Sequence, residues 1–585
     1  MRDRDEHERR RITRRSVIAG VGGAAGAAVM SQAIGASPAQ TQHWDHETDL
    51  LCIGGGATGC AAAVVGTDGG AKVILMERAP ILGGTSRKSG GVAWVPNNSL
   101  LRAQGIDDKK EDCLRYMARF AYPHRYTPAS PTLGLDTLSF KLLEAFYDNG
   151  SKVIDRLGKT GVVEFGVFTI GDKPPPDYAD HLAENKVSSG RALVPKDANG
   201  TALAGQVGHG GRIIDACEAW LTKRGVPILT EHRATKILME NGRCIGVEAV
   251  NGDKTLRIRA RKGVIFSTGG FAHNTDLIQM HQRFLYGSCA VAQSQGDFVQ
   301  MAGAVGARMG QMDMAWRTQV VLEDALQNRF MAVGVFFVPS DSMVIVNKYG
   351  RRAVDEKRDY NDRTRVHFTY DPVTEDFPNQ LLFMLIDERA LDAFGGAYPI
   401  PTDPKTPYLV AGNTLQELSS NLKARLRGIA DKTGGVDLAA NFATTLAETI
   451  KKFNDYARSG RDPEFNRGAQ SYDRAWQGFF SKMRDGSKQP ANNMPNPTMY
   501  PMADHGPYYA IILGPGALDT SSGPMTNEHA QILDSASRPI PGLYGAGNCI
   551  CAPTRDAYMG AGGTLGPNMT YGYIAAMHAV GEKPV

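Results

Sequence analysis

The sequence predicts an α/β protein in which a parallel sheet and a β-meander form one domain and an α+β domain is inserted into it. An apolar strand, a glycine-rich turn and a small-residue helix follow one another over residues 49–68, and a second apolar run occupies 72–76. Another strand runs into a glycine turn at 263–270, and the same pattern returns at 540–547. Because β-α-β units form parallel strands, these three regions are expected to share one sheet.

Composition restricts the class of protein before any motif is considered. The chain has 585 residues, 42% hydrophobic and 22% charged, which is typical of a soluble globular protein with two or three domains. The net charge is +4 and no basic stretch interleaved with aromatic residues is found in the body of the chain, so we expect no nucleic-acid partner. The eight cysteines are scattered without a Cys-x-x-Cys pair, and we expect no metal site.

The first 39 residues have the three-part layout of an export signal. Arginines at 9–15 precede a weakly apolar run at 17–33, and small residues continue to Ala39. The stretch around Arg14 and Arg15 resembles a twin-arginine signal, which the Tat export machinery reads. We therefore predict a signal peptide at 1–39 and an exported, periplasmic protein. A basic tail and an uncleaved anchor are the alternatives, and cleavage after Ala36 or after Ala39 would suit the same specificity.

The middle of the chain differs from its two ends. Residues 274–485 are rich in aromatic residues and proline-containing loops, and we predict that they form an inserted substrate domain. Residues 48–273 and 486–585 would form the other domain. Within it, residues 227–262 alternate apolar and polar and contain Asn241-Gly242 and Asn251-Gly252, which predicts the β-meander.

The glycine-rich turn satisfies the G-x-G-x-x-G pattern of dinucleotide-binding folds; it reads Gly54-Gly55-Gly56-Ala57-Thr58-Gly59. Its glycines permit a tight turn, close approach of a pyrophosphate and tight helix–strand packing. The following helix points its N-terminal N–H groups at the phosphates. Glu77 lies 18 residues after Gly59 at the end of a strand, where a carboxylate accepts hydrogen bonds from ribose hydroxyls. The combination predicts a dinucleotide site.

Further glycine-rich segments occur in a fixed order after this motif, at 83–91, 267–271 and 542–548. Together with 54–59 and Glu77 they resemble the fumarate reductase/succinate dehydrogenase flavoprotein superfamily. The resemblance implies a Rossmann-like FAD-binding domain that holds FAD noncovalently, capped by the inserted domain. The cofactor-binding residues that we expect are Gly54, Gly56, Ala57, Thr58, Gly59, Glu77, Gly84, Thr85, Ser86, Ser89, Gly90, Gly91, Thr268, Gly269, Gly270, Gly547, Asn548, Thr564 and Leu565.

Within this superfamily, residues 547–567 resemble the 3-ketosteroid Δ1-dehydrogenases without gaps, and residues 89–98 match the segment that follows their flavin loop. In that family a Tyr and a Gly at the positions of Tyr558 and Gly562 donate hydrogen bonds to the substrate ketone. Fumarate-type reductases carry an Arg at the position of Tyr558. A phenol has no positive charge to pair with a dicarboxylate, so the resemblance favours a neutral ketone.

Residues 350–360 resemble the family segment that carries the catalytic base, four residues after a Glu. This assigns the base to Tyr360, with a buried structural tyrosine as the alternative. Asp359 stands where the family has Pro, and Arg358-Asp359 is also similar to the fumarate-type proton shuttle, one place out of register. Tyr178 is the candidate for the tyrosine that assists the base.

The chemistry implied is desaturation next to a ketone. Tyr558 O–H and Gly562 N–H would stabilise the enolate, at about 3 kcal/mol for one such donor. A tyrosinate at Tyr360 would remove the α-proton, and hydride would leave the neighbouring carbon for flavin N5. Run backwards, the same site reduces an enone. The pKa of Tyr360 would have to fall, and the cations expected to lower it are Arg351, Arg352 and Arg358.

Three hypotheses remain. The first is a ketosteroid-Δ1-dehydrogenase-like enzyme that passes electrons from a cyclic ketone to a quinone or another external acceptor. The second is an exported ene-reductase of the fumarate or urocanate type, and the third is a flavin-binding protein without catalysis. Arg555 and Asp556 replace small apolar residues of the steroid family, which leaves a smaller or more polar cyclic ketone open. The aromatic residues that could wall an apolar pocket, or simply fill the core, are Trp316, Phe330, Phe336 and Phe337.

Overall fold

The computed structural model describes residues 43–477 and 492–584, and the predicted signal peptide at 1–39 lies outside this part of the chain. From Trp44 onward the chain forms one compact unit. Among the residues described, no helix combines the length and apolar character that crossing a membrane requires.

The strands are, in chain order, β1 His46–Ile53, β2 Val73–Met76, β3 Ala93–Trp94, β4 Phe165–Val167, β5 Ala192–Pro195, β6 Ile228–Leu229, β7 Arg233–Glu240, β8 Arg243–Asn251, β9 Lys254–Phe266, β10 Gly287–Ser288, β11 Ala315–Val321, β12 Met343–Val346, β13 Leu382–Asp387, β14 Leu409–Gly412, β15 Tyr508–Thr520, β16 Gln531–Leu533 and β17 Pro539–Gly545.

The α-helices are α1 Ala57–Asp68, α2 Gly84–Lys88, α3 Ser99–Ala103, α4 Lys110–Ala121, α5 Thr137–Lys159, α6 Gly211–Lys223, α7 Thr275–His281, α8 Asp297–Ala304, α9 Leu322–Gln327, α10 Tyr360–Arg365, α11 Glu388–Phe394, α12 Leu415–Gly428, α13 Ala430–Thr433, α14 Phe442–Ser459, α15 Ser471–Gln477 and α16 Leu565–Gly581. Short 3-10 helices cover Val366–Phe368 and Gly547–Cys549.

The first sheet has the order β16-β17-β9-β1-β2-β6, and its strands from β17 to β6 are parallel. Strand β1 is buried on both faces, since Leu50 and Cys52 face one core and Leu51 and Ile53 face another. Ile53 pairs with Met76 on one side and with Phe266 on the other, so three strands end together. The segments that follow those strands therefore meet at one edge of the sheet. The three regions predicted to share a sheet do so, since β17 also pairs with β9.

The predicted β-meander is confirmed, because β7, β8 and β9 pair as consecutive antiparallel strands. Asn241 and Gly242 both have positive φ, at 48° and 77°, as a type I′ hairpin turn requires. Strand β9 belongs to both parts. One of its edges pairs with β1, and its other edge pairs with β8 near the start of the strand and with β17 near its end.

The second sheet gathers strands from the middle of the chain in the order β10-β15-β13-β12, with β11 and β14 also paired to β15. Strand β15 lies within the region 486–585 that we assigned to the first domain, yet it pairs with strands from the inserted region. The chain re-enters the first sheet at Gln531, later than the predicted boundary at 486. The division into two domains stays a prediction. A small third sheet contains β3, β5 and β4.

Candidate active site

The turn between β1 and α1 requires glycine at two positions. Gly54 has φ +104°, and a Cβ atom there would lie 2.4 Å from the carbonyl oxygen of Ser267. A Cβ on Gly59 would lie 1.9 Å from the carbonyl oxygen of Gly54. The hydroxyl of Ser267 donates to the carbonyl oxygens of Ile53 and Gly54, both at 3.0 Å. The turns after β1 and β9 therefore pack backbone against backbone, which leaves room for a ligand above them.

Glu77 follows β2 and fixes the same turn. One carboxylate oxygen accepts the N–H of Gly55 at 2.7 Å, and the other accepts the N–H of Ala79 at 2.8 Å. The side chain is largely buried but lines the cavity. A carboxylate offers about four lone-pair sites, so Glu77 retains acceptors for the ribose hydroxyls that its position predicts.

A cavity of about 960 Å³ opens above these turns and extends to the second sheet. It lies at the upper end of the range for ligand sites. The predicted cofactor residues that line it are Gly54, Gly56, Thr58, Glu77, Gly84, Thr85, Ser86, Ser89, Gly90, Thr268, Gly269, Gly547, Asn548, Thr564 and Leu565. The backbone cradle and the acceptor at Glu77 fit FAD.

Four predicted cofactor residues are not part of this lining. Gly59 packs under the turn, and the N–H of Ala57 is bound by the hydroxyl of Ser86 at 3.1 Å. A Cβ on Gly91 would lie 3.0 Å from the Cα of Gly210, and the N–H of Gly270 donates to Asp519. These four residues lie beneath the cavity lining and fix the backbone of the residues that form it.

Three buried tyrosines from separate segments meet at the other end of the cavity. The hydroxyls of Tyr178 and Tyr360 lie 3.2 Å apart. The ring of Tyr558 stacks on Tyr178 with centroids 5.6 Å apart and meets the ring of Tyr360 edge-on at 5.2 Å. All three line the cavity, as does Gly562, so the structure brings together the four predicted catalytic residues.

Buried ion pairs position the loop that carries Tyr178. Arg191 forms a salt bridge to Asp108 at 2.7 Å and another to Asp177, the neighbour of Tyr178. The indole N–H of Trp94 donates to Asp177 at 2.8 Å. The backbone N–H of Tyr178 donates to the carbonyl of Met559 at 3.0 Å, which joins this loop directly to the one that carries Tyr558.

Tyr360 is the first residue of α10, and Asp359 caps that helix by accepting the N–H groups of Asn361 and Asp362 at 3.1 and 3.0 Å. The side chain of Asn361 donates to the carbonyl of Asp556 at 2.9 Å. Asp359 thus supplies a cap that a proline could not, and Asn361 ties the helix to the Tyr558 loop.

Tyr558 and Gly562 lie in the loop before α16. The hydroxyl of Thr564 donates to that of Tyr558 at 3.2 Å, and Trp316 meets the Tyr558 ring edge-on at 5.6 Å. Gly562 has φ +89°, and a Cβ there would lie 2.6 Å from the Cα of Ala93. Its carbonyl accepts the N–H of Trp94 at 3.0 Å. Glycine is therefore required at 562 for the loop to reach β3.

The expectation that nearby cations lower the pKa of Tyr360 is wrong. Burial raises the pKa of Tyr360 well above its usual value, and it also raises the pKa of Tyr178 and of Tyr558. Arg351 is exposed, and Arg352 pairs with Glu356 and Asp462. Arg358 lies 3.7 Å from Asp359 and 3.8 Å from Asp473. The charges of Arg352 and Arg358 are thus balanced by carboxylates.

Aromatic side chains surround the tyrosines. Phe336 and Phe337 line the cavity and pack on Tyr360, whereas Phe330 is exposed and its ring contacts that of His273 at an interplanar angle of 53°. Phe168 and Trp476 also line it, and Tyr472 packs edge-on against Tyr178. These last three were missed, because nothing in the local sequence separates them from ordinary core residues.

The fold and the glycine cradle together define a flavoprotein. The sequence model of the FAD binding domain family matches residues 49–565, so the chain belongs to that family and is an FAD-dependent oxidoreductase. The resemblance stated from the motifs is confirmed.

Similar proteins include the 4-oxocyclohexanecarboxylate 2-dehydrogenase of Sinomonas cyclohexanicum, 28% identical over 91% of this chain and 93% of the relative. The 3-oxosteroid 1-dehydrogenase of Mycolicibacterium smegmatis is also 28% identical, over 91% and 97%. Among solved structures, the 3-ketosteroid Δ1-dehydrogenase of Sterolibacterium denitrificans in complex with 1,4-androstadiene-3,17-dione has a TM-score of 0.74 at 23% identity and covers 92% and 99% of the two chains. The last likeness supports the fold.

Proposed function

We propose that this protein introduces a carbon–carbon double bond next to the carbonyl of a neutral cyclic ketone, as the 3-ketosteroid Δ1-dehydrogenases do. One observation carries the proposal: the hydroxyls of Tyr178, Tyr360 and Tyr558 converge with Gly562 on the same cavity as the cofactor residues. The side chains around them include Phe336, Phe337 and Leu518, which suit an apolar ring system rather than a dicarboxylate.

Each polar group has a defined task in this reaction. Tyr558 O–H and Gly562 N–H bind the ketone oxygen and stabilise the enolate charge that develops there. Tyr360 removes the α-proton as the phenolate and becomes the neutral phenol, and the hydroxyl of Tyr178, which donates to the oxygen of Tyr360, stabilises that phenolate. When bound, FAD accepts the hydride from the neighbouring carbon. The aromatic wall excludes water, which strengthens the hydrogen bonds to the enolate.

We also propose how the cofactor is held and reoxidised, and where in the cell the protein is located. FAD is held noncovalently, and an external acceptor such as a quinone reoxidises it. The arginine-rich start of the chain supports export by the Tat machinery to the periplasm, since folded flavoproteins need a route that accepts them already folded. Mass spectrometry of the exported protein tests this part, and a mature N-terminus near residue 37 or 40 is expected.

The direct test mixes the purified holoenzyme with 4-androstene-3,17-dione and a dye acceptor. Dye reduction and a product two hydrogens lighter are expected. A parallel reaction with 4-oxocyclohexanecarboxylate tests whether the enzyme also oxidises a ketone that carries a negative charge. Oxidation of reduced dye by fumarate or urocanate, without activity on either ketone, would replace the proposal with an ene-reductase.

A further inference from the structure

Asp519 is a buried carboxylate that lines the cavity at the end of β15. Its four hydrogen-bond donors are all uncharged. The N–H of Gly270 at 2.9 Å, the hydroxyl of Ser294 at 3.3 Å and the amide of Asn548 at 3.3 Å bind one oxygen, and the N–H of Thr520 at 2.9 Å binds the other.

These donors come from the segments that build the cofactor cradle. Gly270 belongs to the glycine turn after β9, and Asn548 follows β17 beside the predicted flavin residue Gly547. Ser294 and Asn548 line the cavity together with Asp519. The carboxylate therefore lies within the FAD site itself, although the glycine pattern that located the site gives no sign of it.

Another carboxylate that lines the cavity, the partly buried Asp297, has its charge balanced by cations. Asp297 pairs with Arg78 at 3.1 Å and with Arg233 at 2.8 Å. Within the described part of the chain, no Lys or Arg forms an ion pair with Asp519. Uncharged donors stabilise the anion locally but leave its negative charge uncompensated. Because the dielectric constant is low in the cavity, this charge interacts strongly with neighbouring groups.

We propose that Asp519 is a carboxylate of the FAD site that lowers the midpoint potential of the bound cofactor. Two-electron reduction delivers two electrons to FAD, and uptake of a single proton leaves an anion. The negative charge of an ionised carboxylate nearby repels that anion and favours the oxidised form. The effect promotes transfer of the electrons onward to an external acceptor.

The charge on Asp519 changes between pH 5 and pH 8. Burial raises the pKa of Asp519 to about 6, so its carboxylate is ionised at pH 8 and neutral at pH 5. The groups that face it from the turn after β9, the loop at 294, β15 and the turn after β17 are the four uncharged donors, so none of them titrates in its place.

The test is the midpoint potential of the natural holoenzyme and two variants at pH 8, measured against reference dyes during anaerobic reduction. Asp519→Asn should shift the potential upward by about 30 mV or more, which is a tenfold change in a two-electron equilibrium. Asp519→Glu keeps the charge and should stay near the natural value.

Asp387→Asn is the matched control. Asp387 is also buried and bound by the N–H groups of Ala390 and Ala503 and by the hydroxyl of Ser342, but it lies outside the cavity lining. Its substitution should leave the potential unchanged. A potential of Asp519→Asn at or below the natural value, or an equal shift in Asp519→Glu, overturns the proposal.

If Asp519→Asn does not retain FAD, the natural holoenzyme decides the question. Its potential should fall with pH more steeply around pH 6 than between pH 8 and 9, because near its own pKa Asp519 takes up an additional proton when the bound cofactor is reduced. A constant slope from pH 5 to 9 overturns the proposal. The readout needs no substrate, so its failure is distinct from failure of the proposed desaturation.

Discussion

The two ends of the cavity are built from different groups of the chain, one mainly from backbone and the other from side chains. The cofactor end consists mainly of backbone, drawn from turns that follow parallel strands at one edge of a sheet. The tyrosine end consists of side chains from three distant segments, held by a buried salt bridge at Arg191, a helix cap at Asp359 and a loop before α16. Changes at the first end should alter how tightly FAD binds, whereas changes at the second should alter the rate.

The largest effect is expected from Tyr360→Phe. Loss of a general base typically costs about 10²–10⁴-fold, and the variant should slow reduction of bound FAD by substrate to that extent. The measurement is single-turnover absorbance of the flavin. Tyr472→Phe is the control, because Tyr472 is buried in the same cluster and its hydroxyl has no hydrogen-bond partner among the described residues. Equal slowing of both variants would remove Tyr360 from the chemistry.

Tyr558→Phe should have the next largest effect. It removes one donor to the developing enolate, which costs about 3 kcal/mol, or about 10²-fold in the rate of flavin reduction. The stacking on Tyr178 is preserved, so the FAD content should match that of the natural protein. A full rate in a variant that still binds FAD would show that the ketone lies elsewhere.

These two residues also show what the sequence could and could not predict. The Gly54 turn and Glu77 were predictable, because strand order and spacing alone bring such segments together. Tyr178 and Tyr360 could be proposed only through the family resemblance, since they are 182 residues apart and meet through tertiary packing. Asp519 and Trp476 could not be found at all, because a buried carboxylate and a core indole carry no local pattern. The ionisation of Tyr360 was predicted wrongly, because the burial of its hydroxyl and the pairing of Arg352 with Asp462 both come from contacts between segments distant in sequence.

The pH dependence sharpens the role of Tyr360. Burial holds its pKa well above the usual value, so at neutral pH only a small fraction is ionised. If the phenolate is the base, kcat/KM should rise about tenfold per pH unit through the neutral range and level off only at high pH. Steady-state rates from pH 6 to 10, with the FAD content checked at each point, test this. A profile that is flat or falls with pH contradicts a phenolate base.

Glu77→Gln tests the cofactor end. An amide cannot accept both the Gly55 and Ala79 N–H groups through two oxygens, and its bonds to ribose hydroxyls are weaker. FAD should bind about tenfold more weakly, a cost of about 1.4 kcal/mol, while the rate at saturating FAD stays the same. Titration of apoprotein with FAD measures this. Glu248→Gln in the meander, where Glu248 pairs with Arg257, should change neither quantity.

The smallest effect is expected at Thr564, which lies between the two ends of the cavity. Its hydroxyl donates to the Tyr558 hydroxyl at 3.2 Å and lowers the pKa of that phenol against the effect of burial. A phenol that accepts one hydrogen bond becomes a better donor in another, so Thr564→Val should weaken enolate stabilisation. We expect flavin reduction to slow by about threefold to tenfold, in line with a net hydrogen-bond contribution of about 1 kcal/mol, while FAD affinity is unchanged. Thr570→Val is the control, since the hydroxyl of Thr570 donates to the carbonyl of Gly566 within α16. A variant that loses FAD affinity but not rate would assign Thr564 to the cofactor end instead, and the boundary between the two ends would move past residue 564.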